Sequence, residues 1–365
     1  MNKNNATLKY FIHALKGALK PMLFIFIVGV LTYPLVVTVM QFDEYSSNQV
    51  GLSVTFLAFL CYIVPICKNA YLKKKKTIDY YYALPIKRTT LMNINLIVGL
   101  IEVLIPFTVT FFMGLFITMA KTDMFNYEYY IPLYFSLIGI SIPLFVFNFF
   151  LSTRANSIVD SVLIVALYTF SIWLLFGFIE SVFEASFKMP IEQLITFMPF
   201  INIGNAYSSL ISRGTDPYVV AGSKIYPHYY LCIFEVLMYV PLFIFTKKDK
   251  SERAEQISDS FFGYRTLIPF YLFTLISCII IGTGSGVFSI ISNWFISVLM
   301  VVAAGLVGYV IYYRKFKLPK RGWLALLISV VSGIAFGIIV ALIQEKTSPD
   351  VYSYSIMSFL KGMLN

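Results

Sequence analysis

The sequence predicts an all-α polytopic membrane protein with a six-span core and about three additional C-terminal transmembrane helices. Hydrophobic residues make up 59% of the 365 residues and charged residues only 13%, with a mean hydropathy of +0.79. A soluble domain is closer to about 45–50% apolar and 25% charged. Long apolar runs alternate with short basic segments, and the basic segments fall mainly on one predicted side of the membrane.

Nine apolar runs are long enough to be candidate spans, because a transmembrane helix needs about 20 mostly apolar residues. The first run follows a basic start, but it is longer than the apolar region of a signal peptide and lacks a small-residue cleavage site, so we expect a retained helix. The candidate runs are 21–40, 50–67, 93–119, 130–151, 157–182, 229–246, 267–284, 290–312 and 322–343.

The distribution of Lys and Arg predicts the orientation of these spans. With the N-terminus in the cytoplasm, 22 of the 28 basic residues lie on the cytoplasmic side and six on the external side. Cytoplasmic loops of membrane proteins carry this excess of positive charge. Nine spans then place the C-terminus outside. The net charge of +10 is explained by topology, so we expect membrane lipids and no nucleic acid as partners.

A change in composition after residue 246 predicts the domain organisation. The loop 247–266 is the longest polar cytoplasmic stretch and separates a six-helix unit from three further helices. The predicted order is an amphipathic cytoplasmic helix (1–20), the six-helix core (21–246) with an external segment at 183–228, the cytoplasmic loop (247–266), three extra helices (267–343) and an external tail (344–365).

Several kinds of chemistry are not predicted for this chain. The four cysteines lie in apolar runs without metal-ligand spacing, so no metal site is expected. No phosphate-binding GxxxxGK[ST] loop occurs, and the two histidines have no recognisable catalytic partner motif. We therefore expect no catalytic residues and no cofactor in the chain itself.

The stretch "KKKKTIDYYYALPIKRTT" (73–90) interrupts the hydrophobic sequence between the second and third spans. Pro85 disfavours helical geometry at Leu84, so a short helix should end there. The lysines are expected to meet anionic headgroups, and the tyrosines are typical of interface cores. The segment is interpreted either as a positively charged anchor with interfacial tyrosines or as a docking element for a cytoplasmic partner.

The segment "TIDYYYALPIKRTTLMNINL" resembles the loop between the second and third spans of type 2 ABC exporter permeases. In that family an acid and an aromatic residue precede Leu-Pro, a basic pair and Thr or Ser, and the short helix couples the permease to its ATPase. Carried over to this chain, the coupling helix at 76–88 and its ATPase-docking residues are Lys76, Ile78, Asp79, Tyr80, Tyr81, Tyr82, Leu84, Pro85, Lys87 and Arg88.

The resemblance implies a permease subunit in a bacterial plasma membrane that works with two ABC ATPase subunits and a second permease subunit. ATP and Mg would bind to the partner ATPase, so the chain would have no ATPase site of its own. The loop "KKDKSERAEQIS" is similar to one in a Gram-positive branch associated with peptide antibiotics and cell-envelope stress. An amphipathic peptide or a lipid-like molecule is the expected export substrate.

Four acidic residues lie in or near predicted spans, where a charge costs up to about 3 kcal/mol. Asp160 and Glu180 lie near span ends and are expected to be structural. Glu102 and Glu235 lie deeper and are the candidates for a substrate path or a proton relay. They support the alternative of a proton-coupled secondary transporter; a membrane-embedded enzyme or assembly factor is the third possibility. Gly333 and Gly337 have GxxxG spacing, which predicts close helix packing.

Overall fold

Long helices account for almost all of the regular structure in the computed structural model, which describes residues 3–39, 48–73, 77, 79, 81, 83–121, 129–153, 155, 157–187, 264–281, 294–313 and 318–347. A 3-10 helix covers Ala70–Lys73. The α-helices are α1 (Lys3–Thr32), α2 (Pro34–Val39), α3 (Asn48–Lys68), α4 (Arg88–Lys121), α5 (Tyr130–Thr153), α6 (Ile158–Phe187), α7 (Tyr264–Ile281), α8 (Trp294–Tyr313) and α9 (Lys320–Thr347).

Six stretches of these helices are long and apolar enough to cross a membrane, and two further apolar helices are shorter. This confirms an all-helical, multi-pass architecture. The predicted span 229–246, the external segment 183–228 from residue 188 onward, and the tail beyond residue 347 lie outside the described residues. The six stretches are Ala6–Val39, Gly51–Lys68, Thr89–Lys121, Tyr130–Thr153, Phe295–Tyr313 and Lys320–Ile343.

The described helices belong to two compact units. Unit 1 contains α1 to α5 and the start of α6 up to Val165, and unit 2 contains the rest of α6 from Ala166 together with α7 to α9. The sequence had placed the division between residues 246 and 267, with the fifth predicted span in the first unit. The structure instead groups residues 166–187 with the C-terminal helices.

The first helix differs from its sequence-based expectation. The amphipathic segment 1–20 and the span 21–40 were expected as separate elements, but α1 continues through Pro21 for 30 residues. The reason is packing: Ala18 is buried against Ile94 and Val98 of α4, and neighbouring apolar residues of α1 join that cluster. Burying this face against a second helix stabilises α1 on both sides of the proline.

Polar side chains bind α3 to α5. The amide of Asn148 donates to the Cys61 carbonyl oxygen at 3.1 Å. Asn69, which is fully buried, donates to the Phe149 carbonyl oxygen at 2.8 Å and to the Ser152 hydroxyl at 2.5 Å. Such interhelical hydrogen bonds satisfy polar groups that have no access to water within an apolar helix pair. They hold the C-terminal end of α3, which is predicted to lie on the cytoplasmic side. The loop between α3 and α4 begins at this end.

The GxxxG spacing of α9 produces the close packing that the sequence predicts within unit 2. A Cβ added at Gly337 would lie 2.8 Å from the Ile280 Cβ, and one at Gly333 would lie 3.1 Å from the Phe273 carbonyl oxygen. The Ser277 hydroxyl also donates to the Gly333 carbonyl oxygen at 3.1 Å. The absence of side chains at these two positions therefore lets α7 and α9 approach each other.

We expect Gly337→Val to destabilise unit 2 by about 1–3 kcal/mol, because the new side chain would overlap Ile280 and force the helices apart. Thermal unfolding of the detergent-solubilised chain measures the effect. The matched control is Gly139→Val in α5, where an added Cβ meets nothing within 4 Å. Equal destabilisation by both variants would contradict the assigned role of Gly337.

Candidate functional site

The loop between α3 and α4 begins with the 3-10 helix Ala70–Lys73 and includes further helical residues. Thr77, Asp79 and Tyr81 are helical, and the amide of Ala83 donates to the Asp79 carbonyl oxygen at 3.1 Å. The segment ends in bends at residues 84–86, which confirms the helix stop predicted at Leu84-Pro85. Several residues of the loop are not among those that the structure describes: Lys74–Lys76, Ile78, Tyr80 and Tyr82. The side chain of Arg88 is not described either.

Tyr81 anchors this loop to the helices beside it. Its ring centroid lies 4.7 Å from that of Tyr71 and 6.5 Å from that of Tyr10, which it meets edge-on. Tyr10 in turn donates its hydroxyl to the Asn95 side-chain oxygen of α4 at 3.2 Å. The ring of Tyr81 thus joins the loop to α1, and Tyr10 extends the connection to α4.

The opposite side of the loop is accessible. Asp79, Ala83, Pro85 and Lys87 are exposed, whereas Leu84 and Ile86 are half-buried. Of the predicted docking residues whose side chains the structure describes, Asp79, Pro85 and Lys87 are therefore those that a partner could reach directly.

A cleft of about 630 Å³ lies behind the loop, between α1, the end of α3 and the start of α4. The rings of Tyr10, Tyr71 and Tyr81 form part of its wall. Among the residues that the structure describes, no acidic side chain lines it. The lining residues that the structure describes are Ala6, Lys9, Tyr10, His13, Ala14, Gly17, Cys67, Lys68, Tyr71, Tyr81, Leu84, Pro85, Ile86, Asn95 and Val98.

Glu102, predicted for a substrate path or proton relay, is buried in α4 and forms an ion pair with Lys68 at the end of α3. The Lys68 side chain is 19% exposed and that of Glu102 is 5% exposed. The lysine approaches closely because Gly99, one turn before Glu102, has no side chain: a Cβ there would lie 3.3 Å from the Lys68 Cγ. The second candidate, Glu235, lies outside the described residues.

Lys73 holds the loop to the end of α5. Its ammonium group donates to the Ser152 carbonyl oxygen at 2.6 Å and also to the Ala155 carbonyl oxygen. The last carbonyl groups of a helix lack partners within the helix, and a cation there also complements the helix dipole. Burial lowers the pKa of the Lys73 ammonium from 10.5 to about 8, and the Asp160 carboxylate opposes part of that shift.

This pKa predicts a pH dependence of stability. Between pH 8 and pH 10.5 the unfolded chain holds the Lys73 proton while the folded chain has lost it. The free energy of unfolding attributable to Lys73 should therefore increase with pH across that window. Thermal unfolding from pH 7 to pH 10 should show a flatter profile for Lys73→Met than for the wild type. The control Lys87→Met, at an exposed position, should keep the wild-type slope; identical slopes for all three proteins would contradict the assignment.

Asp160 has the structural role expected from its place near a span end. The Ser157 hydroxyl donates to the Asp160 carboxylate at 2.8 Å, and the Asp160 amide donates to the Ser157 hydroxyl at 3.0 Å. This pairing caps the N-terminus of α6.

The side chain of Glu180 lies outside the described residues. Within the described part of the chain, no group of three or more His, Cys, Asp or Glu side chains is placed to hold a metal ion.

The sequence did not single out three residues of this site. Tyr71 and Tyr10 complete the aromatic contacts of Tyr81, and Lys68 neutralises Glu102. A buried carboxylate requires a partner, so a basic residue could have been sought at the ends of neighbouring spans. Lys68, the last residue of α3, is the candidate that such a search would have returned.

These helices define a multi-pass, all-helical membrane protein. No protein-family model, no curated protein and no solved structure matches the chain.

Proposed function

We propose that the chain is the transmembrane permease subunit of an ATP-driven ABC exporter in a bacterial plasma membrane, with its N-terminus in the cytoplasm. The observation that carries the proposal is the loop between α3 and α4. It exposes Asp79 and Lys87 while Tyr81 is packed against Tyr10 of α1 and Tyr71 of the 3-10 helix. An element that transmits force between a soluble motor and a membrane domain needs one accessible side and one anchored side.

In this mechanism two separate ATPase subunits dock on the loops of two permease subunits, and ATP and Mg bind only to the ATPases. ATP binding closes the ATPases and displaces the exposed side of each loop. The Tyr81 ring transmits the displacement to Tyr10 of α1, and its contact with Tyr71 holds it to the 3-10 helix that follows α3. Since α4 follows the loop directly at Arg88, it moves with it. The rearranged spans then open an exit route.

An amphipathic peptide or a lipid-like molecule is the substrate class that the proposal favours. The described helices expose many large apolar side chains, including Phe24, Phe59 and Phe116. Such surfaces suit contact with lipid chains and with substrates that partition into the bilayer. The resemblance of the loop 247–266 to peptide-antibiotic permeases supports the same substrate class.

The alternative is a proton-coupled secondary transporter in which Glu102 and Glu235 carry protons. The observation in its favour is a carboxylate buried within a span, which is uncommon without a functional reason. The ion pair with Lys68 weighs against it, because a proton carrier must gain and lose its charge during the cycle, and each loss of the Glu102 charge would leave the Lys68 ammonium without its partner.

The test of the proposal is affinity purification of the tagged chain from its native membranes in mild detergent, with mass-spectrometric identification of what is retained. We expect a soluble ABC ATPase in stoichiometric amount, and its loss in the charge-reversal variant Asp79→Lys. The control variant is Lys20→Glu, at an exposed position on α1 away from the loop. Absence of any ATPase, combined with ATP-independent and pH-dependent transport in vesicles, would favour the secondary transporter instead.

A further inference from the structure

The N-terminal half of α1 carries two different exposed stripes side by side. Successive residues of an α-helix are rotated by about 100°, so residues three, four, seven and eleven apart share a face. Leu8, Ile12 and Leu19 form an exposed apolar stripe. Next to it, at the same heights, an exposed basic stripe consists of Lys9, His13, Lys16 and Lys20.

The basic stripe borders the cleft described above. Lys9 and His13 line the cleft, whereas Lys16 and Lys20 do not. Lys68 also lines it but is paired with Glu102, so Lys9 and His13 contribute the cationic and hydrogen-bonding capacity available to a ligand. Asn95 adds an amide whose oxygen is already occupied by the Tyr10 hydroxyl. With no acid among the described lining residues, the cleft has the character of an anion site.

We propose that this cleft binds the phosphate headgroup of an anionic phospholipid. Lys9 and His13 donate to the phosphate oxygens, and the acyl chains extend from the cleft onto the neighbouring stripe of Leu8, Ile12 and Leu19, which lies outside the cleft lining. A volume of about 630 Å³ is in the usual range for small-ligand sites. Basic pockets between membrane helices are a known mode of headgroup recognition. The adjoining exposed apolar stripe distinguishes a lipid from a soluble phosphate, which would gain nothing from it.

The site does not depend on the exporter proposal. It requires neither an ATPase nor transport, and it can be tested in a bilayer whose two leaflets have the same composition. Failure of the lipid proposal would therefore leave the ATPase purification unaffected, and the reverse also holds.

Cys67 provides a reporter within the cleft, because it is exposed and lines the wall while Cys61 and Cys278 are buried. Replacing Cys61, Cys232 and Cys278 by alanine leaves Cys67 as the single thiol. The full-length chain is reconstituted into nanodiscs of phosphatidylcholine with or without phosphatidylglycerol, and the rate of alkylation by N-ethylmaleimide is measured. We expect phosphatidylglycerol to slow alkylation several-fold.

The expected slowing should disappear in the double variant Lys9→Gln/His13→Asn, return with Lys9→Arg/His13→Asn, and persist in Lys20→Gln. The double variant also controls for the general surface potential of the anionic bilayer, since its Cys67 experiences the same potential. Three results would overturn the proposal: no slowing in the parent protein, equal loss in Lys20→Gln, or equal protection by glycerol phosphate added to phosphatidylcholine nanodiscs. The last result would assign the cleft to a soluble phosphate.

A second measurement covers the case in which the single-cysteine protein does not fold. Native mass spectrometry of the unsubstituted chain, purified from mixed-lipid nanodiscs, should show retained phosphatidylglycerol in preference to phosphatidylcholine. The double variant Lys9→Gln/His13→Asn should lose this preference and Lys20→Gln should keep it. Equal retention of both lipids by the wild-type chain would contradict the proposal.

Discussion

Replacing Lys68 by methionine should lower the free energy of unfolding by about 3–5 kcal/mol, because it would leave the Glu102 carboxylate buried without its partner. The Glu102 side chain is only 5% exposed, so loss of the ammonium would leave its carboxylate poorly solvated. Methionine keeps much of the lysine stem and its packing, and the effect therefore reports the missing charge. Thermal unfolding or graded denaturation in detergent measures the loss.

Two controls isolate the ion pair. The double variant Lys68→Met/Glu102→Leu removes both charges and should recover most of the stability, since an apolar pair can replace a buried ion pair at little cost. Lys16→Met, at an exposed position on α1, should be neutral. Wild-type stability in Lys68→Met alone would show that Glu102 does not depend on this partner. Wild-type stability with abolished transport in Glu102→Gln would favour the proton-coupled alternative.

The second large effect concerns the anchoring of the loop. Under the proposed exporter mechanism, we expect Tyr81→Ala to reduce ATP-driven transport about tenfold while leaving ATPase activity and folding largely intact. The substitution removes two aromatic contacts, with Tyr71 and Tyr10, each worth about 0.5–1.5 kcal/mol, and about 1.4 kcal/mol corresponds to a factor of ten. The loop would still be pushed by the motor, but the motion would no longer reach α1. Transport and ATPase assays on the purified complex in proteoliposomes measure the two quantities separately.

Pro85→Gly should uncouple in the same way, because it loosens the bend between the helical turn and α4. Tyr81→Phe is the matched control, since it keeps the ring contacts and should retain most of the transport. Wild-type transport in both Tyr81→Ala and Pro85→Gly would exclude the loop as the route by which force enters the membrane.

The sequence predicted those parts of the fold that depend on residues close together in the chain. Run length and apolarity are properties of consecutive residues, so the spans that became α3, α4 and α5 could be located within a few residues. The continuity of α1 was not predictable, because Pro21 and the lysines before it suggest a boundary. What overrides that boundary is burial of Ala18 against Val98, and those residues are 80 positions apart in the chain.

In the site, too, features of neighbouring residues were predicted, whereas contacts between residues far apart in the chain were not. The loop was found from its unusual composition and its end from Pro85, both of which are local features. That Tyr81 turns inward was not predictable, because three consecutive tyrosines cover a wide arc of any helix and the position of Tyr81 depends on its contacts with Tyr10 and Tyr71. The partner of Glu102 was likewise undetermined until the helices were placed side by side.

The length of α4 has a mechanical consequence. It runs without interruption from Arg88, beside the loop, to Lys121, whose ammonium group donates to the carbonyl oxygens of Val37 and Thr38 at the end of α2. Its 34 residues span about 51 Å at 1.5 Å per residue, which exceeds the roughly 30 Å of a hydrocarbon core. A rod of that length acts as a lever: a tilt of only about 4° moves its far end by roughly 3–4 Å. A small displacement beside the loop is thereby converted into a movement at the opposite end that is large enough to shift a side chain out of its contacts.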